Sequence, residues 1–281
     1  MNPLFKGKTL IVGFEGWNDA GDAASTAARF IAEACDAELV ASLEAEEYYD
    51  FQLNRPIVTL NEDGDRTLNW PTTELWVTSK DSKVPGSERL GFLLGVEPNV
   101  RWKSFVAEIV ELVLDREYDA VLFLGGILAD VPHSRPIGVR STSPNRLMQA
   151  AYGVEASSYQ GAVGILSALS IELEKAGVPT LSVWASVPAY VHSGPSPKAA
   201  LALVAEIERY TLIQVDHGTL PDEAFKWERS IDEMAEGDED MTGYIQQLEE
   251  TSDANGLENT SGDALALEFE RYLRQTENGD D

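Results

Sequence analysis

The chain has 281 residues, of which 43% are hydrophobic and 25% charged, fractions that exclude wholesale disorder. With 21 Lys+Arg against 48 Asp+Glu, its formal net charge is -27. That imbalance argues against nucleic acid, whose binding needs clustered cations, and against an anionic membrane surface.

Thr9–Phe14 is a short apolar run that reads as a buried strand, and Asp19 to Cys35 follows as an alanine-rich helix able to pack closely on a sheet. Glu38–Leu43 is a second strand. Ile57–Leu60 and Arg66–Trp70 flank a turn that contains Gly64, a hairpin signal because glycine tolerates positive φ. Glu74–Ser79 alternates apolar and polar residues, so the first third of the chain is expected to contain antiparallel pairs. Ser104–Leu114 is an amphipathic helix with Phe105, Ile109, Leu112 and Val113 on one face. Ala120–Leu124 is a continuous apolar run of the kind found in strands covered on both sides, with Gly125-Gly126 expected to end it. Asn145–Tyr152 and Ala162–Ala176 read as helices, Leu181–Ala185 as a buried strand. Pro197 opens a helix with Leu203, Ile207 and Tyr210 as its apolar stripe.

Strand signals then stop. Asp222–Ala235, a segment around Met241, Tyr244, Ile245 and Leu248, and a third around Leu265, Phe269, Tyr272 and Leu273 carry helical stripes joined by acidic linkers. Residues 1–215 hold 28 acids and 17 bases, whereas residues 216–281 hold 20 acids and 4 bases, so the last quarter of the chain carries most of the net charge. Helices this short are marginal alone and must pack on the main domain or on a partner. The pattern predicts a three-layer α/β/α domain over residues 1–216, with a mixed central sheet, and an acidic helical appendage over residues 217–281.

Cys35 is the only cysteine, which excludes an intrachain disulfide and suits a reducing compartment. The first residues lack the apolar core of a signal peptide, and no apolar run approaches the roughly 20 residues that span a bilayer, so a cytoplasmic location is expected.

Four segments could carry chemistry. The loop Glu15-Gly16-Trp17-Asn18-Asp19-Ala20-Gly21-Asp22 stands where α/β proteins bind phosphate, but it lacks the glycine spacing of a phosphate loop, and its acids would repel an anion. A tight strand-to-helix turn with Asn18 or Asp19 as N-cap is favoured over a site for a cation, an amine or a partner's basic group. Asp130, His133 and Arg135 fall within six residues of each other and could orient a general base. The favoured reading is an ion pair, Arg135 with Asp130, that fixes a proline-stiffened loop or an interface. Ser157-Ser158-Tyr159-Gln160-Gly161 precedes a helix and serves either as a cap or as an anion site. Trp184 to His192, with Pro188 and Tyr190, reads as a rigid rim and a first interface candidate. There is no G-x-S-x-G elbow and no H-E-x-x-H, and His133, His192 and His217 lie far apart. No catalytic residue, metal or cofactor is expected.

Several of these segments resemble the proteasome assembly chaperone 2 family in its bacterial branch. They are Gly16-Trp17-Asn18-Asp19-Ala20-Gly21-Asp22-Ala23-Ala24, Gly125-Gly126 through Asp130-Val131-Pro132-His133-Ser134-Arg135-Pro136, Ser158-Tyr159-Gln160-Gly161-Ala162-Val163-Gly164-Ile165, Trp184-Ala185-Ser186-Val187-Pro188-Ala189-Tyr190 and Pro195-Ser196-Pro197-Lys198-Ala199. The resemblance implies a phosphorylase/hydrolase-like α/β fold and protein partners. It also implies self-association, with a trimer favoured over a dimer, and a non-enzymatic chaperone or scaffold role. Fold alone also admits a nucleoside phosphorylase-like or hydrolase-like enzyme or binder, with Glu15, Asn18, Asp19, Asp130, His133 and Arg135 around a pocket at the sheet's C-terminal edge. Members that dock on the proteasome end in a hydrophobic-Tyr-any tail. This chain ends Gly279-Asp280-Asp281, so docking by that route is not expected.

Overall fold

A computed structural model describes residues 4–61, 64–191 and 194–255. The stripe at Leu265–Leu273, the terminal Gly279-Asp280-Asp281 and His192 lie outside the described residues.

The first strand, β1 (Thr9–Glu15), runs through the middle of a seven-stranded sheet. Its apolar residues are continuous because both faces are covered. Leu10, Val12 and Phe14 enter one core and Ile11 enters the other. In chain order there follow α1 (Ala23–Ala34), β2 (Ala37–Ser42), the single turn α2 (Ala45–Tyr48), a separate hairpin of β3 (Ile57–Leu60) and β4 (Arg66–Asn69), β5 (Thr73–Thr78), β6 (Leu90–Val96), α3 (Trp102–Asp115) and β7 (Ala120–Ala129). Next come β8 (Val139–Thr142), α4 (Arg146–Tyr152), α5 (Ile165–Lys175), β9 (Thr180–Pro188), α6 (Pro197–Thr211), α7 (Leu220–Ala235) and α8 (Glu239–Asn255).

The strand order is β2-β5-β6-β1-β7-β9-β8. The four central strands, β6, β1, β7 and β9, are mutually parallel, while β2/β5, β5/β6 and β8/β9 pair antiparallel. The sheet is therefore mixed, with antiparallel pairs on the side built by the first third of the chain. Helices α1 and α6 cover one face and α3 and α5 the other. The alanines of α1 allow that approach: Ala23, Ala24, Ala27 and Ala28 are fully buried, and a Cβ at Gly13 of β1 would lie 3.1 Å from the Ala24 carbonyl oxygen.

Three features differ from the sequence reading. The central strand β6 has no counterpart in it, although Leu90–Val96 is apolar. Its glycines weaken strand propensity, yet the fold needs them: a Cβ on Gly91 would meet the Tyr118 hydroxyl, and one on Gly95 the backbone around Thr72 and Thr73. The short edge strand β8 is likewise new. Finally, Gly125-Gly126 does not end β7, which runs on to Ala129. Gly125 leaves room for the ring of Trp184, and Gly126 lets the backbone of Ala20 approach. Here a glycine pair marks close approach inside a strand rather than its end.

Of the C-terminal segment, α7 packs on α6 and brings Leu220 into the core beneath it, with Ala224, Ile231 and Ala235 also buried. Of the stripe expected from the sequence on α7, Trp227, Ile231 and Met234, Ile231 is buried but Met234 is 57% exposed, and on α8 Ile245 and Leu248 are buried while Tyr244 is 39% exposed.

Candidate functional site

The turn after β1 closes on itself. The Asp19 amide donates to the Gly16 carbonyl (3.0 Å), and the Asp22 amide to the Asp19 carbonyl (3.0 Å). The Asp19 carboxylate accepts from the amides of Ala24 (2.6 Å) and Ser25 (3.2 Å), so its side chain satisfies the first turn of α1, while the N-cap position itself is held by Asp22 rather than by Asn18 or Asp19. Its other oxygen, Oδ2, is buried without a hydrogen-bond partner, and burial pushes its carboxyl up to about 6 against the pull of those amides. Gly21, at φ 60°, packs against Ser196, whose amide donates to the Gly21 carbonyl at 2.7 Å.

Asn18 is 2% exposed. Its carbonyl accepts from the Gly126 amide (2.8 Å) and its Nδ2 donates to Glu97 (3.1 Å). The same Glu97 oxygen accepts from the Ile165 amide at 2.7 Å, the first amide of α5. Glu97 therefore fastens the end of β6, the turn after β1 and the start of α5. Burial raises its carboxyl above the usual range, against the pull of these donors. Sequence reasoning missed this residue, and no local pattern flags it. Glu15 forms an ion pair with Arg29 of α1, and Trp17 is 39% exposed. A Cβ at Gly164 would collide with Asn18, so the chain entering α5 lies directly on this turn.

The second cluster is engaged by the C-terminal helices. His133 is 1% exposed. Its amide donates to the Tyr190 hydroxyl (2.7 Å), which lies 2.7 Å from Nδ1, while Nε2 is 3.1 Å from Asp232 of α7. A hydroxyl that accepts from the amide is free to donate to Nδ1, leaving Nε2–H for Asp232. The ring thus has a partner on each nitrogen and no open face for a substrate. Burial pushes the Tyr190 phenol up to about 12. Lys198 donates to the His133 carbonyl at 2.5 Å and pairs with Glu228 of α7.

Arg135 does not pair with Asp130, as the sequence reading favoured. Its fork holds Asp253 of α8 through two bonds of 2.8 Å, and it also reaches Glu249 (3.3 Å), which accepts from Ser134. These carboxylates hold the Arg135 guanidinium above its ordinary range and the Arg135 guanidinium holds Asp253 below its own. Asp130 accepts from Tyr244 of α8 (3.0 Å), and the Tyr244 ring meets Tyr190 edge-on. The partners come from residues more than a hundred positions away, a pairing that spacing along the chain does not reveal. Pro188 is buried and Tyr190 half-buried beneath α8, while Trp184 turns inward.

A cavity of about 310 Å³ lies between α5 and the outer strands, and Asn18 and Tyr159 of the expected site residues line it. Tyr159 donates to the Ala162 carbonyl (2.8 Å) in the loop over that cavity. Among the described residues no three His, Cys, Asp or Glu groups are placed to hold a metal ion, and no helix is long and apolar enough to cross a membrane. Cys35 is buried, and burial pushes its thiol up to about 11, the inert extreme for a cysteine.

Fold and site together describe a three-layer α/β protein whose charged loop after β7 is held by α7 and α8. The chain belongs to the PAC2 family, whose sequence profile matches residues 13–235. It is 38% identical to a PAC2 family protein from Streptomyces avermitilis, with 84% of this chain and 99% of that one covered and a TM-score of 0.75. It is 35% identical to a proteasome-assembly chaperone homologue from Mycobacterium tuberculosis, again over 84% and 99%, with a TM-score of 0.74. A protein of unknown function from Corynebacterium glutamicum is 25% identical over 89% and 91%, with a TM-score of 0.78. No curated protein matches the chain. The family match stops at residue 235, so α8, which supplies Tyr244, Glu249 and Asp253 to the second cluster, lies beyond it.

Proposed function

We propose that the protein is a non-enzymatic, self-associating assembly chaperone or scaffold that acts on other protein subunits. The observation that carries this reading is its 35% identity, over nearly the whole partner chain, to a mycobacterial proteasome-assembly chaperone homologue. The second cluster supports it: His133 and Arg135, the residues best suited to chemistry, are committed to intramolecular ties. Proteasome subunits are the first clients to test. Purified α- and β-type subunits from the same host, mixed with and without the protein, should assemble faster in its presence on native gels. An unchanged rate, with no complex formed, overturns the chaperone reading.

The hairpin supports self-association. Pairing of Val58 with Leu68 and of Leu60 with Arg66 places Val58, Leu60 and Leu68 on one face, where they are 46%, 69% and 47% exposed. Trp70 follows at the same alternation, 49% exposed, with its ring tilted against that of Phe51 at a centroid distance of 4.7 Å. A two-stranded hairpin is marginal in water, and a contiguous apolar face of this kind marks a contact surface. Light scattering should give a multiple of the 30.7 kDa chain mass, a trimer being favoured, and Val58→Ser with Leu68→Ser should lower it. A monomeric wild type at micromolar concentration overturns self-association and leaves the client assay to stand on its own.

A further inference from the structure

Helix α8 covers the loop after β7 with a sequence poorly suited to a helix. Residues 239–255 include five acids and no base, so no ion pair within the helix supports it. Gly243 stands in its interior, where glycine weakens a helix. Glu249 and Asp253 are four positions apart, which sets like charges side by side on one face. The same pattern fits the surface beneath it. Arg135 bonds both acids, Asp253 through two bonds of 2.8 Å and Glu249 at 3.3 Å, and so offsets their repulsion. Five positions before Glu249, Tyr244 donates to Asp130 (3.0 Å) and meets the Tyr190 ring edge-on at 5.9 Å. Between these two ends, Ile245 and Leu248 are buried.

These ties are specific but weakly held. Among the described side chains of α8, Ile245 and Leu248 alone are buried. The ion pairs are open to water, with the Asp253 side chain 58% exposed, and such pairs contribute little singly. The link to α7 is the short run Glu236-Gly237-Asp238, whose glycine allows it to bend. The covered surface belongs to the region that the family profile matches, whereas its cover does not. The seated helix defines what the surface accepts: a tyrosine, two apolar residues on one face, and an acid pair one turn further on. We propose that the surface formed by Asp130, Ser134, Arg135 and Tyr190 is a docking site for an acidic amphipathic helix of a partner protein, and that α8 occupies it in cis until such a helix displaces it. His133 stays tied to Asp232 of α7 throughout, so the surface keeps its shape when α8 leaves. This inference rests on the reading that the protein engages other proteins, and it names the chemistry of the segment engaged.

The test is fluorescence anisotropy of a labelled synthetic peptide of residues 239–255, titrated with full-length protein. In wild type the tethered helix competes at high effective concentration. Ile245→Ser with Leu248→Ser loosens α8 without altering the surface, and this chain should bind one peptide at least tenfold more tightly than wild type does. Gly243→Pro, which breaks α8 by another route, should act in the same direction. Adding Arg135→Glu to the loosened chain should weaken the peptide at least tenfold. A peptide carrying Glu249→Lys and Asp253→Lys should then bind that chain better than the native peptide does. No saturable binding to the loosened chain, equal binding to wild type, or affinity indifferent to Arg135→Glu overturns the proposal. So does loss of the fold, read by circular dichroism, in both loosened variants, since a displaceable helix is not one on which folding depends. A wild-type oligomer that the two serines reduce to the 30.7 kDa chain means that α8 is exchanged between copies, and overturns the cis arrangement. The peptide reads the surface and the subunit-assembly assay reads a client, so either can fail alone.

Discussion

Replacing Glu97 by alanine should cost more stability than its partly exposed position suggests. One carboxylate oxygen accepts from the Asn18 side chain at 3.1 Å and from the first amide of α5 at 2.7 Å. Hydrogen bonds to a charged group contribute about 1.5–3 kcal/mol each, and their removal leaves both donors unsatisfied, one on a side chain that is 2% exposed. The carboxylate also sits at the positive end of the α5 dipole. Allowing for non-additivity, Glu97→Ala should lose about 3 kcal/mol, and for a chain of this size Tm should fall by roughly 6–12 °C. Glu97→Gln keeps an acceptor at the same place and should lose about 1 kcal/mol. Urea denaturation followed by circular dichroism measures both. If Glu97→Ala lies within about 0.5 kcal/mol of wild type, or Glu97→Gln is as damaging as Glu97→Ala, the network is not what joins the three elements.

Two further outcomes are expected. The Asp19 carboxyl, raised by burial to about 6, favours the folded state when protonated, so its contribution is complete below its unfolded value and lost as pH rises through 6. Measured against Asp19→Asn, wild type should therefore gain about 1.4 kcal/mol on going from about pH 7.5 to pH 5, and a pH-independent difference between the two contradicts the assignment. Arg135→Glu, which places like charges against Glu249 and Asp253, should speed amide hydrogen exchange across α8 and leave the central strands unchanged. About 0.5 M salt should have a weaker effect in the same direction on wild type, because both ion pairs are partly exposed to solvent.

Much of the fold is legible along the chain because burial leaves a periodic mark. Unbroken apolar runs at Thr9–Phe14 and Ala120–Leu124 reflect cover on both faces, and the Phe105, Ile109 and Val113 spacing reflects cover on one. The PAC2 membership is legible for a different reason. The turn from Gly16 to Asp22 has to cap α1, seat Asn18 and let Ser196 approach, and few sequences meet those demands together. Glycine, by contrast, is ambiguous in sequence. Gly64 marks a hairpin turn, but Gly125 and Gly126 lie within a strand, where the missing Cβ makes room for a neighbour that only the folded sheet supplies.

The amino-acid order by itself determined the α/β class, the helical character of residues 220–255 and the residues able to carry charge at the strand ends. These follow from local periodicity and side-chain chemistry, which do not depend on a distant partner. Only the tertiary structure decided what those charges do. It gave Arg135 to Asp253 rather than Asp130, closed His133 between Tyr190 and Asp232, and set Glu97 beneath Asn18 and α5. It also placed a cavity between α5 and the outer strands, with Asn18 of the acidic loop on its wall. Each of these depends on a contact made across dozens to over a hundred positions, where spacing along the chain carries no information about which donor meets which acceptor.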